Sequence, residues 1–132
     1  IEIIQLGGVL RHSSQSVVGD YSEQLFGDCS SSKLFLGVDG IDLEFGITTT
    51  DMRESHLNKK MIQATQKTYV LADSSKFGRR GFAKIASIEE IDAIVTDSNI
   101  KLTDLQRLDE LGIKVIVANV KPDLSSSPQV TE

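Results

Sequence analysis

Leu71-Ala72-Asp73-Ser74-Ser75-Lys76-Phe77-Gly78 is the stretch on which the reading of this chain turns. It continues an apolar, β-prone run, Thr68-Tyr69-Val70-Leu71-Ala72, that reads as a buried strand and stops abruptly in two hydroxyls, a lysine and a glycine. In an open α/β sheet, ligands bind beyond the carboxyl ends of the strands, where loop side chains and backbone N–H groups converge. Ser74, Ser75 and Lys76 would place two hydroxyls, several N–H groups and one mobile positive charge there, which suits a phosphate or a sugar phosphate. An ordinary polar turn after a strand, with Lys76 merely solvated, accounts for the same eight residues, so the rest of the chain must decide.

Outward from this stretch, the pattern repeats. Lys33-Leu34-Phe35-Leu36-Gly37-Val38 reads as a second buried strand and ends in Asp39-Gly40. Ile91-Asp92-Ala93-Ile94-Val95-Thr96-Asp97 reads as a third, and Ile113-Lys114-Val115-Ile116-Val117-Ala118-Asn119 as the last. Between them lie helical signals. Asp20 is a plausible cap for a helix through Tyr21, Leu25 and Phe26. Thr50 or Asp51 caps an amphipathic helix with Met52, Leu57, Met61 and Ile62 on one face. Thr103 or Asp104 starts a helix through Leu105, Leu108 and Leu111 that Gly112 stops. Phe82-Ala83-Lys84-Ile85-Ala86 is a further strand, followed by Ser87 with Glu90 at capping-box spacing. Strands alternating with helices predict an α/β fold with a doubly wound, mostly parallel, Rossmann-like sheet. Strand ends at Asp39, Asp73 and Asp97 on one edge of it outline a site. The threonines Thr48-Thr49-Thr50 open a helix N-terminus, which favours anions. Glu54, in the first turn, either complements the helix dipole or aims a carboxylate at a ligand hydroxyl.

The first residues, Ile1-Glu2-Ile3-Ile4-Gln5-Leu6, are already strand-like; Gly7-Gly8 interrupts them and Val9-Leu10-Arg11 resumes, bringing a guanidinium within reach of the same edge. A chain that begins inside a strand pattern without a methionine reads as part of something longer. Residues 1–120 are expected to form one domain, and the Ser- and Pro-rich residues 121–132 a disordered tail.

Composition narrows the classes. The 132 residues can bury a real core, and there is neither a long apolar run nor an export signal, so no membrane is expected as partner. A single cysteine, Cys29, cannot form an internal disulfide and fits a reducing cytoplasm. A net charge of −5 and the absence of tryptophan argue against direct nucleic-acid binding by this segment. His12 and His56 stand alone, so no metal or other cofactor is expected.

Taken jointly, several stretches resemble the sensor domain of the DeoR family of bacterial transcriptional regulators. They are Gly7-Gly8 with Arg11, Leu36-Gly37-Val38-Asp39-Gly40-Ile41, Gly46-Ile47-Thr48-Thr49 with Glu54, Leu71 to Gly78 as quoted above, and Ile94-Val95-Thr96-Asp97. The resemblance implies a fold related to ribose-5-phosphate isomerase and the CoA transferases. It implies a phosphorylated sugar as effector, and operator DNA as partner of an N-terminal helix-turn-helix domain that these residues do not include. It also implies an opening strand-helix-strand with a further phosphate loop, likewise absent here. Carried over residue by residue, the effector-binding positions are Arg11, Asp39, Gly40, Thr49, Glu54 and Lys76, with Ser74 and Ser75 close by. Lys76 and Arg11 would meet phosphate, and Asp39 and Glu54 would accept from sugar hydroxyls. Asn58 with Leu36-Gly37-Val38-Asp39 is reminiscent of regulators of amino-sugar or hexitol catabolism.

Two rival readings come from other classes. An aldose–ketose isomerase needs a base and groups that stabilise an enediolate. Isomerases of the related fold carry an Asp where this chain has Leu36, and a lysine near Gly46-Ile47-Thr48-Thr49 that is missing here, so no enzyme is expected. Alternatively the chain is chiefly a homo-oligomerisation module, dimeric or tetrameric, with Leu25-Phe26 and Phe82 as candidate contacts.

Overall fold

A computed structural model describes residues 1–119. The tail expected over 121–132 lies outside the described residues.

The centre is a parallel sheet of four strands in the order β3-β6-β8-β9: β3 (Ser31–Gly37), β6 (Thr65–Leu71), β8 (Ala93–Asp97) and β9 (Lys114–Ala118). Register follows the side-chain alternation. Leu36 pairs with Val70 and Val70 with Ile94, so these three buried residues form one row on the inner face. Asp92 pins the lower ends: its carboxylate accepts from the Thr68 N–H at 2.8 Å, and its own N–H donates to the Thr68 carbonyl at 3.0 Å.

A second, antiparallel sheet covers this inner face, in the order β4 (Gly40–Asp42), β5 (Gly46–Thr49) and β7 (Ala83–Ala86). Ile41, Ile47 and Ile85 from these strands join Leu36, Val70 and Ile94 in one apolar cluster. The β4–β5 hairpin was not anticipated as such, because its short strands lie within a stretch of mixed polarity. Asp42 builds its turn by accepting from the N–H groups of Glu44 and Phe45 at 2.9 and 2.8 Å.

Strand–helix alternation holds where local signals are strongest. Helix α2 (Met52–Gln63) starts at Asp51, whose carboxylate accepts from Arg53 N–H at 2.8 Å and Glu54 N–H at 3.3 Å. Helix α3 (Leu102–Glu110) joins β8 to β9 and ends as expected at Gly112, which has φ +74°. There Gly112 N–H donates to the Asp109 carbonyl and Ile113 N–H to the Leu108 carbonyl, so two terminal carbonyls are satisfied while Leu108 and Ile113 enter the core. Between β6 and β8, however, the crossover is β7 flanked by single 3₁₀ turns at Ser74–Lys76 and Ile88–Glu90. The Glu90 carboxylate accepts from Ser87 N–H at 2.6 Å, as the capping-box spacing anticipates.

Other expectations need correction. Residues 1–7 are not a strand: only the two-residue β1 (Val9–Leu10) pairs, with β2 (Val17–Val18). A strand needs a hydrogen-bonded neighbour, and no described strand lies beside residues 1–7, which leaves Ile1, Ile3 and Ile4 exposed. Helix α1 (Asp20–Leu25) starts one residue earlier than expected: Gly19 is its cap, Asp20 lies in its first turn, and no side chain bonds the cap. Likewise α3 is preceded by Lys101 with no side-chain cap bond, in place of Thr103 or Asp104. Of the candidate oligomer contacts, Leu25 is 45% and Phe82 81% exposed, so neither is core.

Candidate functional site

Because β3, β6 and β8 are adjacent and parallel, their carboxyl ends lie side by side. Beyond them opens a cleft of about 450 Å³, lined among others by Asp39, Thr49, Glu54, Asp73 and Lys76. Leu36, Leu71 and Asn58 also line it. Each wall comes from a different element: β5 ends in Thr49, the first turn of α2 carries Glu54, and the loop between β1 and β2 brings Ser14 and Ser16.

The polar groups are tightly interconnected. Arg11 sets Nη1 2.9 Å from Glu54 Oε2 and Nε 3.5 Å from Asp51 Oδ2. Ser14 Oγ donates to Glu54 Oε1 at 2.8 Å, and Ser16 Oγ donates to the same oxygen. Thr49 Oγ1 lies 2.9 Å from Glu54 Oε2 and 2.9 Å from Asp39 Oδ2. Arg11 and Glu54, expected as separate ligand contacts, are thus each other's partners. Burial by itself would raise the Glu54 pKa; hydrogen bonds from Ser16, Ser14, Thr49 and Arg11 outweigh it and hold this carboxyl below the ordinary glutamate value.

That shift has a consequence for pH. A depressed folded-state pKa contributes stability above the unfolded value, about 4.3, and loses it as pH falls through the folded value. Amide protection in the 11–16 loop is expected to persist at pH 5–7 and to drop on acidification below about pH 4. Glu54→Gln should flatten that step in hydrogen exchange; an unchanged step would assign it to another carboxylate.

The Ser-Ser-Lys turn is built differently from the expectation. Asp73 caps it, accepting from the Ser75 N–H at 2.9 Å and from the Ser75 hydroxyl. Asp97, at the end of β8, accepts from the Ser74 N–H at 2.7 Å and the Asn99 N–H at 2.9 Å. Both carboxylates are lowered in pKa: Asp73 by the Ser75 hydroxyl and N–H, Asp97 by the N–H groups of Ser74 and Asn99. Ser74 and Ser75 therefore spend their N–H groups on shaping the turn, and what the turn presents to the cleft is Lys76. Among the described residues Lys76 forms no ion pair. Gly40 is placed beneath the cleft: a Cβ there would lie 2.5 Å from the Arg79 carbonyl oxygen and 2.7 Å from Thr48 Oγ1. It lets β4 pass close under the chain that follows Lys76.

Ser14 and Ser16 sit in a polar loop that carries no motif, and local sequence marks Asp51 only as a helix cap. Their only sequence signal was a serine cluster near Arg11. Among the described residues no cluster of His, Cys, Asp and Glu could hold a metal ion, and no helix is long and apolar enough to cross a membrane.

The fold is that of a Rossmann-like α/β domain with a polar cleft across its strand ends, the position at which open α/β sheets commonly take ligands. Residues 1–98 match the family model of the DeoR C terminal sensor domain, and the chain belongs to that family. It is 40% identical over 117 residues to the "Putative aga operon transcriptional repressor" of Escherichia coli O157:H7, covering 89% of this chain and 44% of that protein. It is 33% identical over 115 residues to the HTH-type transcriptional regulator GlpR of Haloferax volcanii, covering 87% of this chain and 45% of that one. With the lactose phosphotransferase system repressor of Staphylococcus epidermidis it shares 27% identity over 106 residues, 80% of this chain and 40% of the repressor. The chain thus spans less than half the length of these relatives.

Proposed function

We propose that this domain is the effector-binding part of a DeoR-type transcriptional repressor, and that its effector is a phosphorylated sugar held in the cleft at the strand ends. The observation that carries the reading is Lys76, a cation in no described ion pair, on the rim of a cleft whose other charged lining residues are Asp39, Glu54 and Asp73. A ligand with one anionic end and several hydroxyls matches that division: its phosphate meets Lys76 and its hydroxyls donate to the exposed Asp39. Arg11 and Glu54, paired with each other, hold the opposite wall. Ser74, Ser75 and Gly40 shape the turn and floor that place Lys76 and Asp39. The relatives' names, which include repressors of an aga operon and of a lactose phosphotransferase system, support a sugar-responsive regulator. Effector binding would bias the arrangement of a separate DNA-binding domain, through a dimer or tetramer, since this domain's net charge of −5 suits it poorly to touch DNA itself.

The test is thermal melting of the full-length protein against a panel of sugar phosphates, since a ligand that binds only the folded state raises the melting temperature. One member should give a selective upward shift. Lys76→Ala should weaken its binding by about 10- to 100-fold, the value of one charge-assisted hydrogen bond. No shift with any sugar phosphate, or undiminished affinity in Lys76→Ala, would overturn the reading. The isomerase alternative is disfavoured by Leu36, an apolar side chain that lines the cleft and can neither move a proton nor accept a hydroxyl. Turnover of ribose 5-phosphate by the purified protein would restore it.

A further inference from the structure

The cleft contains more acceptors than its shared hydroxyl can serve. An ionised carboxylate offers about four lone-pair sites. Glu54 is crowded by four polar groups: Ser14 and Ser16 beside Oε1, 2.7 Å from each other and so able to bond one another as well, and Arg11 and Thr49 beside Oε2. Asp39, by contrast, is exposed, and its one side-chain hydrogen bond among the described residues is the contact with Thr49. Thr49 is 3% exposed and carries a single hydroxyl proton, yet its oxygen lies 2.9 Å from both Asp39 Oδ2 and Glu54 Oε2. It can donate to only one of them at a time. When the proton points to Asp39, a lone pair of the Thr49 oxygen faces Glu54 Oε2 at 2.9 Å, an acceptor–acceptor contact that repels.

We propose that Asp39 is the carboxylate that reads the ligand's hydroxyl donor, and that Thr49 relays its occupancy to Glu54 and so to the loop carrying Arg11, Ser14 and Ser16. This rests on the effector-site reading above and adds how that site communicates. A ligand hydroxyl donating to Asp39 satisfies the acceptor that competes for the Thr49 proton. Thr49 then donates to Glu54, the repulsion disappears, and the Glu54 carboxylate is fixed in the orientation that Ser14, Ser16 and Arg11 require. The loop it tightens closes the β1–β2 hairpin, in which Arg11 N–H donates to the Ser16 carbonyl at 2.9 Å. Residues 1–8 lead directly into that hairpin, so ligand at the strand ends is felt by the segment that precedes it. Glu54 and Thr49 are on this account positioning residues, and Asp39 the ligand contact.

The relay can be tested without knowing the ligand. In the full-length protein, Asp39→Asn supplies an amide N–H that donates to Thr49 Oγ1, which leaves the Thr49 proton for Glu54 and imitates the occupied state. Hydrogen exchange at the Arg11 amide should slow by about 2- to 10-fold, the worth of one net hydrogen bond. The slowing should vanish in the Thr49→Val background and return with Thr49→Ser. Should Thr49→Val fail to fold, the Glu54→Gln background serves, since it removes the charged acceptor at the far end of the relay and should also erase the effect. An Arg11 amide indifferent to Asp39→Asn, or one slowed equally with Thr49→Val, would overturn the relay. Melting shifts with fructose 6-phosphate and glucose 6-phosphate as probes report separately on the effector reading. A shift with an indifferent Arg11 amide sinks the relay alone, and a working relay without any sugar-phosphate shift sinks the effector alone.

Discussion

Gly46→Ala is expected to be among the most damaging single substitutions in this domain, lowering the melting temperature by about 10 °C or more. Two independent costs combine. Gly46 has φ +121°, a conformation that strains any residue with a Cβ, typically by about 1–3 kcal/mol. An added Cβ would also sit 2.1 Å from the Ala86 carbonyl oxygen, so β5 and β7 would have to separate. Those strands pair Ile47 with Ala86 and Thr49 with Ala83, and Thr49 is the wall of the cleft, so ligand binding should fall together with stability. Gly112→Ala is the matched control. Gly112 also has a positive φ, +74°, but nothing lies within 4 Å of the position its Cβ would take, so only the backbone strain of about 1–2 kcal/mol remains. Differential scanning calorimetry of the two variants separates the contributions; equal losses would mean that the contact with Ala86 relaxes at no cost.

Ile94→Ala should cost about 2–5 kcal/mol. Ile94 is 0% exposed in β8, in register with Val70 on one side and Val115 on the other, and belongs to the same apolar cluster as Leu108 and Ile88. The side chain is held by strands and by a second sheet, so the cavity has little room to collapse, which favours the upper part of that range. Leu102→Ala, at a side chain 76% exposed, should stay within about 0.5 kcal/mol. Urea titration of both variants provides the check. A loss at Ile94 no greater than that at Leu102 would show that the two sheets do not share a core.

The site was legible in the sequence to the extent that it was assembled from strand ends. Asp39 and Lys76 follow short continuous apolar runs that stop in polar residues, and Asp51 caps a helix whose apolar spacing is clear. Its internal chemistry was not legible. Ser14 and Ser16 meet Glu54 across 40 and 38 residues of chain, and no local pattern encodes such a contact. In the same way the N–H groups of Ser74 and Ser75 looked available for an anion until Asp97, 23 residues further on, was seen to accept from the first, and Asp73 from the second. The opposite error concerns residues 1–6. Their β-branched composition is a genuine preference, but among the described residues no strand lies beside them to pair with.

By itself, then, the amino-acid sequence determined the four strands of the parallel sheet, the polar residues at their carboxyl ends, the start of α2 at Asp51 and the stop of α3 at Gly112. All of these depend on side-chain periodicity and on groups within about four residues of one another, where the backbone geometry is known in advance. Only the tertiary structure decided that β4, β5 and β7 form an antiparallel layer over the core, and that Arg11 and Glu54 pair with each other. It also decided that a single buried hydroxyl stands between Asp39 and Glu54. Those outcomes depend on which distant groups packing brings within hydrogen-bonding distance, and that is set by the way two sheets and a hairpin loop close on one another.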